Sequence, residues 1–257
     1  MKKHIPNFIT LLNLFCGCIA IFFAVRGAFE LVALFVFLGI IFDFFDGFAA
    51  RVLNVKSDLG LQLDSLADMV TSGVVPGLVM FQLLEMSLSE GWHTGFSTEL
   101  TEGMVWIGFK VSPIALVPYL GFIITLASAY RLAKFNIDEN QTDSFIGLPT
   151  PANTLLIVSL PLILIYHHND ILNSIILNQW FLIVLTFLSV YLLNSKLELF
   201  ALKFKNWSFQ DNAIRYIFLI ICIILIATLK YLAVPAIIVF YIMFSVISIV
   251  SSNKEKK

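Results

Sequence analysis

Apolar and polar residues in this chain are segregated into long blocks, and apolar runs of about 17–23 residues recur along it. Eight such runs are read at 9–26, 31–52, 60–84, 112–133, 152–166, 179–194, 213–230 and 233–251. A helix needs roughly 20 residues to cross the hydrocarbon core of a bilayer. The expected fold is therefore an all-α polytopic membrane protein with about eight transmembrane helices. The fifth and sixth runs are short. The longest polar excursion, 85–111, carries Glu85, Glu90, Gly91, Glu99 and Glu102, while 134–151 and 195–212 form the main loops of the opposite side. No repeat or low-complexity segment interrupts the pattern. Residues 1–194 are read as a six-helix membrane core, and 195–257 as a loop followed by two additional helices. Those two helices contain few polar residues, so they are expected to serve packing or to support a homodimer.

Composition strengthens this picture. The chain of 257 residues is 59% hydrophobic and 13% charged, with 25 phenylalanines and a mean hydropathy of +0.93, which excludes an ordinary soluble domain. The net charge of −1 and the lack of any basic run give no reason to expect nucleic acid as a partner. Cys16, Cys18 and Cys222 form no C-x-x-C motif and read as small apolar helix residues. Lys2-Lys3-His4 precedes an apolar run as in a signal peptide. No small-residue cleavage site follows, so it reads as an interfacial lead-in to a retained first helix. With the N-terminus in the cytoplasm, only Arg26, Lys110 and Lys230 of the 16 basic residues fall outside. The positive-inside rule thus favours an even number of crossings with both termini cytoplasmic, and an integral protein of the cytoplasmic membrane is expected.

Against this apolar background four aspartates stand out. Asp43, Asp46, Asp64 and Asp68 lie within the second and third apolar runs. Each carboxylate at a helix centre costs about 2.5–3.5 kcal/mol on insertion scales, so the set demands a compensating cation. At about 100° per residue, Asp43, Asp46, Gly47 and Ala50 share one helix face, and Gly60, Asp64, Asp68 and Thr71 share another. The short link Val52–Leu59 lets the two faces meet in an antiparallel pair. Two opposed pairs of carboxylates, without nearby His or Cys, suit Mg²⁺ or Mn²⁺ rather than zinc. Gly47 and Gly60 leave room for a ligand's phosphates to approach backbone, and Arg51 sits at the water-facing end, placed to clamp a phosphate. The site then opens towards the cytosol. Polar packing positions and an ion-coupled transporter are the competing readings, although a transporter would more often show broken helices and inverted repeats.

The order Asp43-x-x-Asp46-Gly47-x-x-Ala50-Arg51, eight residues, Gly60-x-x-x-Asp64-x-x-x-Asp68 resembles the signature of the CDP-alcohol phosphatidyltransferases at every fixed position. That resemblance implies two metal ions held by Asp43, Asp46, Asp64 and Asp68, with Asp68 also the general base towards the acceptor hydroxyl. It further implies that Gly47, Ala50, Arg51, Ser57 and Gly60 lie against the CDP group of CDP-diacylglycerol.

Three further stretches extend the resemblance over roughly the first 160 residues. Pro6-Asn7-x-x-Thr10-x-x-Asn13 is similar to the opening of phosphatidylserine synthases, where this end of the first helix borders the nucleotide pocket. Capping at Asn7 and backbone bonding by Thr10 is the plainer account, but it leaves Asn13 without a role. Tyr130-Arg131-Leu-Ala-Lys134 places two cations at i and i+3, either as interfacial snorkels or as ligands for an anionic group such as the carboxylate of serine. Phe145-Ile-Gly147-Leu-Pro149-Thr150-Pro151-Ala-Asn153 stops any helix and stiffens the next one's start. Together these runs look like those of the bacterial and archaeal serine-specific members, and so imply CDP-diacylglycerol and L-serine as substrates among membrane lipids. Glycerol 3-phosphate, an inositol phosphate and choline remain as alternative acceptors. His4, His93, His167 and His168 read as solvated residues remote from the acidic site.

Overall fold

The computed structural model describes residues 4–55, 57–88, 104–106, 109–111, 113–137, 145–199 and 209–255. Lys2, Lys3, Lys56, Glu90, Gly91, His93, Glu99, Glu102, Lys203, Lys205, Lys256 and Lys257 lie outside the described residues, so most of the long polar excursion does too.

Helix appears wherever a long apolar run was read. Helices α1 (His4–Val25) and α2 (Phe29–Val52) form a hairpin whose turn contains Gly27 at φ +70°, where the amides of Gly27 and Ala28 close back onto Ala24 and Phe23. Next comes one 31-residue apolar stretch in three parts. It comprises α3 (Asp58–Asp68), a π-helical segment Met69–Val74, and α4 (Val75–Leu88). Two three-residue strands, β1 (Met104–Trp106) and β2 (Phe109–Val111), then pair with each other. A 3-10 stretch, Pro113–Gly121, leads into α5 (Phe122–Ile137). After β3 (Phe145–Ile146) come α6 (Thr150–Tyr166), α7 (Asp170–Ile176) and α8 (Gln179–Asn194). The last two of these are bent by 58° at their junction. Strand β4 (Glu198–Leu199) precedes α9 (Phe209–Leu229) and α10 (Ala233–Glu255). The molecule is an all-α membrane protein, with two very short ribbons among the described residues.

α9 and α10 join through a 3-10 turn at Lys230–Leu232, so that helical residues run unbroken across the junction. A straight rod of that length would hold Phe218 and Phe244 about 39 Å apart at 1.5 Å per residue. Their rings lie 6.5 Å apart, and Phe218 also meets Tyr241 at 5.8 Å. The pair is therefore a folded hairpin, with Lys230 at φ +50° in its turn.

α4 is the central element: Val75, Val79, Met80, Leu83 and Leu84 have no exposed surface. Gly77 and Gly121 let it press against the 3-10 stretch, where a Cβ on Gly121 would sit 2.8 Å from the Gly77 carbonyl. The outer surface is apolar as well. Phe8, Phe15, Phe22, Phe37, Phe44, Phe45 and Phe48 are all more than half exposed or close to it, as lipid-facing residues are.

The loops 134–151 and 195–212 meet each other. β3 and β4 pair with Phe145 opposite Leu199 and Ile146 opposite Glu198. The described part of the ribbon packs with Leu148, Leu156 and Ile238, which ties α10 to the core. Here the bundle has a step. Asn194 ends α8 and donates to the Ala127 carbonyl at 3.2 Å, whereas α5 continues about ten residues beyond Ala127, some 15 Å of helix. Its far end is level with the upper part of α3, because Ser65 Oγ donates to Asn136 Oδ1 at 3.0 Å.

Candidate active site

The aspartates come together because α2 and α3 run antiparallel across a link of five residues, 53–57. Ser57 starts α3 as its N-cap, its hydroxyl accepting from the Gly60 amide at 3.1 Å. One carboxylate oxygen from each of Asp43, Asp64 and Asp68 falls within 4.8 Å of the other two. Asp46 lies outside that trio, so the two opposed pairs expected from helical spacing are a triad with a fourth, buried carboxylate beside it.

Helix α1 supplies the side chains that hold the outer members. The Thr10 hydroxyl lies 2.6 Å from Asp46 Oδ2 and 3.1 Å from the Pro6 carbonyl; its single proton goes to the nearer, charged acceptor. Asn13 Nδ2 donates to Asp68 Oδ1 at 3.1 Å. Asn7 lies inside α1, which is described from His4, and so is not its cap. Its Oδ1 and Ser57 Oγ would each be 3.2 Å from a Cβ added at Gly60, so these side chains already take up the room beside that glycine. Gly47 differs: a Cβ there would meet nothing within 4 Å, which leaves an open face next to the carboxylates. Ala50 and Arg51 continue that face. Arg51 is exposed, its Nε donating to the Gly47 carbonyl at 2.9 Å.

The donor set fits a divalent cation. The triad offers only carboxylate oxygens, with no nitrogen or sulfur ligand. Asp64 Oδ1 is buried and has no hydrogen-bond partner among the described residues, a cost that a bound cation would relieve.

Arg131 and Lys134 have different surroundings. Arg131 Nη1 donates to the carbonyls of Leu193 at 2.8 Å and Ile146 at 2.9 Å, and Nη2 makes a longer 3.5 Å contact with the Gly147 carbonyl. Gly147 has φ +73°, and a Cβ there would stand 2.7 Å from the Leu193 carbonyl. Arg131 thus caps α8 and fastens the tight turn before α6. Lys134 is exposed one turn further on.

Sequence reasoning passed over the π-helical segment just below Asp68. Two threonine hydroxyls reach its backbone carbonyls, and its own Thr71 reaches out to α1. Thr71 Oγ1 donates to the Asn13 carbonyl at 3.1 Å, Thr125 Oγ1 to the Gly73 carbonyl at 2.9 Å, and Thr154 Oγ1 lies 2.9 Å from the Ser72 carbonyl. A π turn strains the regular ladder and leaves carbonyls to seek other donors. Here those donors come from α5 and α6, so four helices meet directly under the carboxylates. The available signal was Gly17 and Gly39, glycines in helix interiors that cost about 1 kcal/mol each against alanine unless packing needs them.

Comparison with known proteins agrees with this geometry. The chain is 33% identical over 177 residues to a CDP-diacylglycerol--serine O-phosphatidyltransferase of Bacillus subtilis, covering 67% of this chain and 81% of that one. Proteins of the same description from Methanocaldococcus jannaschii and Helicobacter pylori J99 are 34% and 33% identical, over 67% and 60% of this chain and 68% and 55% of their own. The family model for CDP-alcohol phosphatidyltransferase matches residues 3–191 and takes in all four aspartates, which sets the transporter reading aside. With well over half of its length matched, the chain belongs to the CDP-alcohol phosphatidyltransferase family.

Proposed function

We propose that this protein transfers the phosphatidyl group of CDP-diacylglycerol to L-serine, giving phosphatidylserine and CMP. The observation that carries the proposal is the convergence of Asp43, Asp64 and Asp68 beside the open face at Gly47. The serine hydroxyl forms a bond to the phosphorus that bears diacylglycerol, the pyrophosphate P–O bond breaks, and CMP leaves with the bonding electrons. The hydroxyl proton passes to Asp68. Asp43, Asp46, Asp64 and Asp68 would hold Mg²⁺ or Mn²⁺, two ions in this reading. When bound, the metal neutralises the pyrophosphate and stabilises charge on the departing CMP.

The remaining residues orient the reactants. Gly47, Ala50 and Arg51 line the nucleotide side, with Asn7, Ser57 and Gly60 across from them, while Thr10 and Asn13, buried in α1, bear on the nucleotide pocket through the Asp46 and Asp68 carboxylates they hold. In this reading Lys134, exposed near the end of α5, meets the serine carboxylate. Arg131 has further N–H groups beyond those donated to carbonyls, and these are its means of taking part. The diacylglycerol chains lie in the bilayer against exposed Phe44, Phe45 and Phe48.

In this reading residues 1–194 form the catalytic core and 195–257 an appended hairpin. The protein is a homodimer of the cytoplasmic membrane, with its termini and site facing the cytoplasm. The test is CMP release by purified protein supplied with CDP-diacylglycerol, Mn²⁺ or Mg²⁺, and one alcohol at a time. Release above background with serine alone is expected; release with glycerol 3-phosphate but not serine would overturn the acceptor assignment.

A further inference from the structure

Thr71 is not one of the residues that the family signature marks, yet it sits where three helices converge. It lies in the π-helical segment one turn beyond Asp68, almost fully buried. On one side α1 gives way at Gly17, where a Cβ would stand 3.1 Å from both Thr71 N and Cα. On the other, α2 gives way at Gly39, where a Cβ would stand 2.8 Å from Thr71 Cγ2 and 2.9 Å from Asn13 Oδ1. The two glycines make a socket that fits threonine, and Thr71 Oγ1 reaches across it to the Asn13 carbonyl at 3.1 Å. Asn13, itself fully buried, then donates from Nδ2 to Asp68 Oδ1.

We propose that Thr71 is a positioning residue for the transfer reaction: it fixes the α1 turn whose Asn13 amide aims the Asp68 carboxylate. This rests on Asp68 acting in the site as described above. The relay is indirect, since the Thr71 hydroxyl bonds to the Asn13 carbonyl and not to a carboxylate. Its direction follows from chemistry. A carboxylate tied through one oxygen by a neutral amide has its plane set, so its second oxygen holds one orientation towards metal and acceptor. Without the tie the carboxylate rotates about its last torsion, which is broad and roughly two-fold. Carboxylate orienters of this kind are worth about 10- to 100-fold in metal affinity or activity.

The experiment compares Thr71→Ser with Thr71→Ala, which both lack the methyl group and differ only in the hydroxyl, alongside Asn13→Ala and the Asn13→Ala/Thr71→Ala double variant. Two readouts are taken: Mn²⁺ affinity of the substrate-free protein by electron paramagnetic resonance, and kcat with KM for CDP-diacylglycerol. Thr71→Ala is expected to lower Mn²⁺ affinity and kcat by about 10- to 100-fold while KM changes little, and Thr71→Ser to retain both. The double variant is expected to be no worse than Asn13→Ala alone, because both changes cut one chain of contacts. Wild-type Mn²⁺ affinity and kcat in Thr71→Ala, losses that multiply in the double variant, or a Thr71→Ser as impaired as Thr71→Ala would each overturn the relay. So would an Asn13→Ala variant whose main defect is a raised KM for CDP-diacylglycerol, which would make Asn13 a substrate contact. If Thr71→Ala does not fold, Thr71→Ser and Asn13→Ala carry the same comparison. The Mn²⁺ readout needs no acceptor, so a protein that ignores serine yet binds Mn²⁺ still decides the relay, and only the acceptor reading fails.

Discussion

Asp68 and Arg131 are both half-buried charged side chains in an apolar bundle, and they are held by opposite means. Asp68 has one neutral donor, Asn13, and stands among other carboxylates. Arg131 faces the ends of two chain segments, donating to the Leu193 and Ile146 carbonyls. If Asp68 is the base, Asp68→Asn should lower turnover at least about 10²-fold while CDP-diacylglycerol still binds, checked by kinetics and by binding of a CDP analogue. Near-normal turnover would send the proton elsewhere. For the cation pair the structure divides the expectations. Arg131→Ala strips donors from carbonyls at a helix end and a tight turn, so it should lower Tm in detergent before any effect on serine is seen, and Arg131→Lys should not rescue a fork of this shape. Lys134→Ala should leave Tm unchanged and raise KM for serine by about tenfold or more, the lower range for one charge-assisted contact. The aspartates were legible in the sequence because carboxylates in an apolar run are conspicuous and helical period alone brings them to facing sides. The work of Arg131 was not, because its partners are carbonyls 15 to 62 positions away along the chain, and a carbonyl leaves no mark in a sequence.

At the scale of elements, a helix lies along every long apolar run, although the fourth opens as a 3-10 stretch with α5 starting only at Phe122, and the short α7 falls between runs. What periodicity missed is the π-helical segment inside the third run and the step where α8 stops short of α5. Both depend on what packs alongside: threonine hydroxyls from α5 and α6 take the carbonyls of Ser72 and Gly73, and Arg131 ends α8. The glycines test this account in a paired way. Gly17→Ala pushes a methyl group to 3.1 Å from Thr71 backbone, which cannot yield as a side-chain tip can. It should cost about 1–3 kcal/mol of stability as overpacking, seen as a lower Tm in detergent. Gly47→Ala adds its methyl to open space, so Tm should hold while KM for CDP-diacylglycerol rises. An unchanged Tm in Gly17→Ala would remove the close three-helix joint.

For the whole molecule, three carboxylates gathered within 4.8 Å could hold a divalent ion, and on the proposed function activity depends on one. Excess chelator should abolish CMP release and Mg²⁺ or Mn²⁺ should restore it; full activity in chelator would sink the metal reading. The outward phenylalanines on α2 carry a consequence of a different kind. Phe44, Phe45 and Phe48 are at least half exposed beside the acidic residues of the same helix, and on the proposed function they let the lipid substrate arrive sideways, within the plane of the membrane. What the enzyme senses is then a surface density of CDP-diacylglycerol, measured as mole fraction, rather than a bulk molarity. Diluting the substrate with inert lipid or detergent at constant total amount should slow the reaction in proportion. Serine, which comes from water, should show the same KM at every dilution.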